Sequence, residues 1–194
     1  MVCGVLWGVL NSDDFYASPD VLSQVASDFV GESELDAVYA DVNYVDWNDT
    51  KKLVRHYSSG VFKRWNMRLG FMPAHPTFYL RKSTYEKFKL DPATPGLKGR
   101  TDCAYYNTSY KIAADFEFLL RSIFVGRIKT KYIKQVWVTM RNGGNSSAGL
   151  KVHNVINAEH QRAFRENGGY SNLLLESLRY VYKVGELIAG KCKR

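Results

Sequence analysis

Residues Val2 to Leu10 form an almost unbroken apolar run that ends abruptly at Asn11-Ser12-Asp13-Asp14. A run this short cannot cross a bilayer, and its composition reads as a buried strand covered on both faces. Such a strand needs neighbours on each side, so the chain is expected to begin in mid-fold, with an edge that invites self-association into a homo-oligomer. In open α/β sheets ligands bind outside the carboxyl ends of strands, which gives the two adjacent carboxylates chemical interest.

The pattern that follows is strand and helix in alternation. Ser18-Pro19-Asp20 carries a capping hydroxyl, a proline and an acid, the signals of a helix start. Val21, Leu22, Val25 and Phe29 then mark one helical face. Asp36 to Val45 alternates as a strand, Leu53 to Tyr57 adds a shorter one, and His75 to Leu80 resembles a loop entering a strand. Asp91 to Asn107, broken by two prolines and two glycines, reads as a mobile loop.

Beyond that loop, Phe116, Leu119, Leu120, Ile123 and Phe124 fall at helical spacing, predicting an amphipathic helix over 113–125 with Glu117 and Arg121 as an i, i+4 pair. Lys131 to Arg141 reads as a strand, Asn142 to Ser147 as a loop, and two helices close the chain. In the last of these, over 171–190, Glu176, Arg179, Lys183 and Glu186 form one stripe, and Leu174, Leu175, Leu178, Val181 and Tyr182 face the other way. The expected fold class is therefore α/β, a mixed sheet flanked by helices with further helices at the C-terminus. Without repeats or linkers, residues 1–194 are expected to be one domain.

Apolar residues make up 45% and aromatics 14% of 194 residues, enough for a packed core and too much for a disordered chain. Lys and Arg outnumber Asp and Glu by 27 to 19, a formal charge of +8 that favours an anionic partner. Cys3, Cys103 and Cys192 are too far apart for a zinc spacing or a disulfide framework, which suits a reducing compartment. No window is long and apolar enough for a spanning helix, and Met1 to Leu10 lacks the basic and small-residue features of a signal peptide. A cytoplasmic protein is expected, peripheral at the inner face of the membrane if it meets one.

Three places can carry chemistry. Asp13 and Asp14 are either hard oxygen ligands for Mg²⁺ or Mn²⁺ carrying a diphosphate, or an Asp-rich turn ahead of the helix. Asp115, in the first turn of its helix, is either a structural cap or a general base; geometry decides. His75 is either a packed residue or part of a site, and His153 and His160, with no ligating company, are assigned to the solvated surface.

The ordered set Asn11-Ser12-Asp13-Asp14-Phe15-Tyr16, Val38-Tyr39-Ala40-Asp41, Met72-Pro73-Ala74-His75 and Lys111 to Arg121, continued by Met140-Arg141-Asn142-Gly143-Gly144-Asn145-Ser146, resembles family 2 glycosyltransferases of the GT-A fold. The similarity runs through nearly the whole chain and is greatest to bacterial surface-polysaccharide enzymes. It implies inverting transfer of a sugar from a nucleotide-sugar donor to a hydroxyl of a glycan or lipid-linked acceptor. By that resemblance Asp13 and Asp14 would hold Mn²⁺ or Mg²⁺ against the donor diphosphate, with Asn11 replacing the first acid of the commoner motif. Asp115 would be the catalytic base, Arg141 and the loop after it would close over the phosphates, and His75 would lie on the acceptor side.

The resemblance also implies a departure. Family members carry strand and helix units for the nucleoside before the position of Asn11, and only ten residues stand there in this sequence. A non-catalytic remnant of a transferase is therefore a competing expectation. A basic nucleic-acid-binding module, with Phe62, Trp65, Tyr105 and Tyr106 stacking on bases, is a weaker one, because none of the RRM, KH, zinc-finger or helix-turn-helix signatures occurs and no nucleic-acid partner is expected. Lys191, Lys193 and Arg194 after the last helix give it the chemistry to lie on an anionic membrane, unless its apolar face packs into the core.

Overall fold

Ala37–Val45 (β3) is the strand around which the sheet assembles, and its alternation divides the core. In the computed structural model, which describes residues 6–91, 105–143 and 149–179, Val38, Ala40 and Val42 point to one face and Ala37 and Tyr39 to the other. The first face is covered by helix α1 (Val21–Val30) through Val21, Val25 and Phe29. The second packs on α2 (Lys82–Lys87) through Tyr85, on the helical segment from Ala114 to Val125 and on α4 (Gly149–Glu166). Both faces of β3 are therefore dry, the arrangement expected of a strand lined with Val and Ala.

The sheet is mixed and curled. Its order is β1 (Leu6–Trp7), β5 (Tyr79–Arg81), β3, β6 (Thr130–Arg141) and β2 (Phe15–Tyr16), and β4 (Leu53–Tyr57) also pairs with β3. β5 and β4 pair with β3 at different positions, β5 at Ala37 and Val38 and β4 from Val42 to Val45. Between them Thr77 replaces the ladder, its Oγ1 accepting the N–H of Ala40 at 3.1 Å and donating to the Ala40 carbonyl at 2.9 Å. β6 runs parallel to β3 and β5 antiparallel to it, so β1, antiparallel to β5, points the same way as β3 and β6. The mixed α/β architecture expected from the sequence is what the chain adopts.

Local corrections follow from packing. The opening run is not a strand buried on both faces: among the described residues it supplies only Leu6 and Trp7, half-buried and paired on one side, with Gly8 and Val9 exposed. Apolar composition reports burial but not the number of strand neighbours. Ser18 does not cap α1, which starts two residues later after Asp20 with no side-chain cap. At its other end the Arg81 guanidinium donates to the carbonyls of Phe29, Glu32 and Leu35, satisfying groups that a helix terminus leaves open. The predicted helix over 113–125 is α-helical from Ala114 to Leu119 (α3) and widens to a π-helix from Leu120 to Val125.

The terminal helix is inverted relative to expectation. Over residues 173–179, Glu176 and Arg179 are buried, whereas Leu173, Leu174 and Leu178 are exposed. Glu176 and Arg179 turn inward toward a polar pocket on α4, where Glu176 lies 3.6 Å from His160 and Arg179 donates to Asn157 at 2.7 Å. The rest of the predicted 171–190 helix, residues 92–104 of the loop expected over 91–107, and most of the expected loop after Gly143 lie outside the described residues.

Candidate functional site

The carboxyl ends of β1, β3 and β6 open into one cleft of about 870 Å³. Asn11, Ser12 and Asp13 reach it from the turn after β1, Tyr44 and Trp47 from the end of β3, and Met140 to Gly143 from the end of β6. Because β5 is antiparallel, the turn before it, His75–Thr77, comes to the same end of the sheet. Lys111 to Ala113, Asp115 and Phe116 line it as well, together with Ile156 and His160 of α4. Five residues singled out by sequence, Asn11, Asp13, His75, Asp115 and Arg141, thus share one cavity although they are spread over most of the chain.

Asp14 is not among the lining residues. It is buried behind the turn, where its Oδ2 accepts the Asn11 side-chain amide at 2.8 Å and its backbone N–H reaches the Asn11 carbonyl at 3.1 Å. Among the described residues its Oδ1 has no hydrogen-bond partner. Burial raises the Asp14 carboxyl above the usual carboxylate range, partly offset by the Asn11 amide, and the Asp13 charge raises it further. An orphaned carboxylate oxygen beside a second carboxylate is what a hard cation would neutralise, so the donor set fits Mg²⁺ or Mn²⁺. Among the described residues no group of three or more His, Cys, Asp or Glu side chains is arranged to hold a metal, so such an ion would depend on ligand oxygens as well.

His75 is fixed from several sides. Tyr57 donates to the Met72 carbonyl at 2.8 Å, the Ala74 N–H reaches Ser59 Oγ at 3.1 Å, and Thr77 ties the turn to β3. The imidazole Nε2 lies 3.1 Å from the Tyr106 hydroxyl. Burial lowers the His75 pKa, partly offset by the nearby Asp115 carboxylate, so the ring is neutral at pH 7. Asp41, the acid of the Val38–Asp41 segment, serves the same wall from outside the cleft: it is buried, accepts the Ser59 N–H at 2.8 Å and the Tyr132 hydroxyl at 3.0 Å, and so holds the turn that carries Ser59.

Asp115 is half-buried, and its Oδ1 accepts the N–H of Phe116 at 2.7 Å, leaving the other oxygen free of that bond. Glu117 points elsewhere. It is buried in a two-pronged pair with Arg121 at 2.9 and 3.1 Å and also accepts the Asn167 amide. Arg141 donates to the Trp47 carbonyl at 3.0 Å, and among the described residues no carboxylate pairs with it.

Two site residues escaped sequence reasoning. His160 is not on the solvated surface: it is buried, stacked on Phe116 with ring centroids 3.7 Å apart, and lines the cleft. The spacing Ile156, His160, Ala163, Phe164 was the available signal, since it puts the histidine on the apolar face of α4. Glu159 gave no such signal. Its buried carboxylate accepts the backbone N–H groups of Lys111, Ile112 and Ala113 at 2.7, 3.0 and 2.9 Å, and so holds the wall that leads into Asp115.

In comparisons with known proteins, no family model and no curated protein sequence matches the chain.

Proposed function

We propose that the cleft binds a nucleotide-sugar and transfers its sugar, with inversion, to an acceptor hydroxyl, as a family 2 glycosyltransferase of the GT-A fold would. One observation carries this reading: a turn acid, two histidines, a helix-start acid and an arginine that no described carboxylate pairs with, far apart in sequence, line a single cavity at the carboxyl ends of three like-directed strands. Asp13, with Asp14 behind it and the Asn11 carbonyl oxygen beside it, would hold Mg²⁺ or Mn²⁺, which when bound neutralises diphosphate charge. Arg141 supplies a second cation, with no carboxylate paired to it among the described residues, suited to a diphosphate. A sugar hydroxyl is a poor nucleophile, so direct displacement needs a base opposite the leaving group, and Asp115, which lines the same cleft as Asp13, is the carboxylate for that role. His75, neutral and tethered, is a polar contact for the acceptor. A glycan or lipid-linked acceptor in surface-polysaccharide synthesis follows from the family resemblance.

The test is release of nucleoside diphosphate from nucleotide-sugars by the chain in Mn²⁺, with an oligosaccharide acceptor. Asp115→Asn is expected to lower turnover by about two to four orders of magnitude while leaving Mn²⁺-dependent nucleotide binding nearly intact. Glu117→Gln is expected to lose stability and keep turnover, because Glu117 is engaged by Arg121. Calorimetry in which no nucleoside diphosphate binds in Mn²⁺, or binding that survives Asp13→Ala unchanged, would overturn the proposal and leave the non-catalytic reading.

A further inference from the structure

The helical segment that begins at Ala114 ends against an ordinary preference. Helices commonly stop with glycine in the left-handed conformation just beyond the cap. Here Gly126 occupies the cap itself, with φ −73°, and Arg127 follows with φ +53°, alone among the described non-glycine residues in having a positive φ. Packing accounts for the glycine, because a Cβ there would lie 2.3 Å from the Phe88 ring and 2.7 Å from the Ser122 carbonyl oxygen. The left-handed backbone is strained for any residue with a Cβ, and fold geometry alone would be better served by glycine or asparagine at 127. Strain retained at one residue points to work done by its side chain.

Arg127 lines a groove of about 420 Å³ with Arg64, Trp65, Arg68 and Phe124. Arg64 and Arg68 come from the turn Arg64–Leu69, and the Arg68 guanidinium lies 5.4 Å from the centre of the Phe124 ring. All three arginines are exposed, and among the described residues none pairs with a carboxylate. Three like charges around one groove repel each other unless an anion lies among them. Trp65, on the rim, is 61% exposed.

The surface next to the groove is apolar. Val125 and Tyr170 are exposed, and Leu173 and Leu174 are 61% and 73% exposed. This segment is held beside the groove: Ser171 Oγ donates to the Arg68 carbonyl at 2.7 Å, and a Cβ on Gly169 would lie 3.6 Å from the Phe124 ring. A soluble phosphate ligand would use the arginines and leave the leucines in water. A lipid interface uses both, phosphates against guanidinium groups and acyl chains against Leu and Trp.

We propose that this face docks on a bilayer containing anionic phospholipids, with lipid phosphate seated between Arg64, Arg68 and Arg127 and Trp65 in the headgroup layer. The inference does not depend on sugar transfer, because it is read by binding alone. The full chain is expected to sediment with vesicles of phosphatidylcholine and phosphatidylglycerol, to ignore vesicles of phosphatidylcholine alone, and to be released by rising salt. Each of Arg64→Ala and Arg68→Ala should weaken binding about fivefold. Arg127→Gly is the decisive variant: vesicle binding should fall by about the same factor while the thermal midpoint rises, since glycine relieves the strained φ. A purely structural role for Arg127 would move both readings in the same direction. Sedimentation indifferent to phosphatidylglycerol, or undiminished in the triple variant, would overturn the proposal. Release by inorganic phosphate but not by chloride at equal ionic strength would also overturn it, identifying a pocket for free phosphate.

Discussion

Replacing Glu159 by alanine is expected to cost about 2–4 kcal/mol of stability, although the residue carries no chemistry of its own. Its two oxygens accept three backbone N–H groups from the segment before Asp115. Lys111 is exposed, so water can take over its N–H; Ile112 is half-buried and Ala113 buried, so theirs would be stranded. A stranded buried donor costs about 1–3 kcal/mol, and two of them, one partly hydrated, give the stated range. In a chain of this size each kcal/mol moves the midpoint by about 2–4 °C, so the variant should melt roughly 5–15 °C below the wild type. Glu159→Gln keeps one acceptor oxygen and should fall between the two. Thermal and urea unfolding followed by circular dichroism measure the effect. An alanine variant melting within about 2 °C of the wild type would refute the reasoning, since the wall before Asp115 would then stand without α4.

Two further outcomes follow from the titrating groups of the cleft. Burial depresses the His75 pKa below its ordinary value of 6.5, so in the window beneath 6.5 the unfolded chain binds more protons than the folded one. His75 therefore costs no stability above about pH 6.5 and destabilises the fold as the pH falls toward its folded value; His75→Gln should flatten the acid limb of stability below about pH 6.5, and urea midpoints that decline in parallel would count against this. Asp14 is buried with one oxygen unpartnered, so Asp14→Asn should raise the unfolding midpoint without metal and abolish any rise caused by Mn²⁺. An Mn²⁺-dependent rise that survives the substitution would move the cation elsewhere.

Much of this architecture was legible because binary pattern and strand period agree. The alternation in β3 and the Val21, Val25 and Phe29 positions of α1 predict elements that form with those residues buried, whereas Leu22, read onto the same helical face, is 52% exposed, and the burial of Ala37 and Tyr39 on the second face of β3 is not marked by alternation. The reading failed where it turned composition into neighbours. The run at Val2 to Leu10 is apolar enough for a central strand, yet Trp7 meets Tyr85 and Tyr105 from an edge position, and an aromatic packed edge-on from one side has the same hydropathy as one buried in a sheet. The terminal helix failed for the opposite reason: Glu176 and Arg179 read as a solvated stripe, because helical spacing carries no sign of the His160 and Asn157 groups that await them on α4.

The candidate site shows the same division more sharply. Asn11, Asp13, Asp115 and Arg141 stand where polar residues interrupt or end apolar elements, so sequence can mark them one at a time. What holds them does not share their segments. Glu159 reaches back 46 to 48 residues to the N–H groups before Asp115, Thr77 reaches 37 residues to Ala40, and Tyr132 reaches 91 residues to Asp41. Each of these supports joins a side chain to a backbone group or a hydroxyl, and such bonds leave no periodic trace. The position of Asp115 is consequently set less by its own helix than by α4, whose Glu159 secures the backbone ahead of it and whose His160 stacks on the ring of Phe116 just after it. Substitutions on the cleft side of α4 should therefore disturb the site more than equally buried substitutions in α1, whose apolar residues pack on the other face of the sheet.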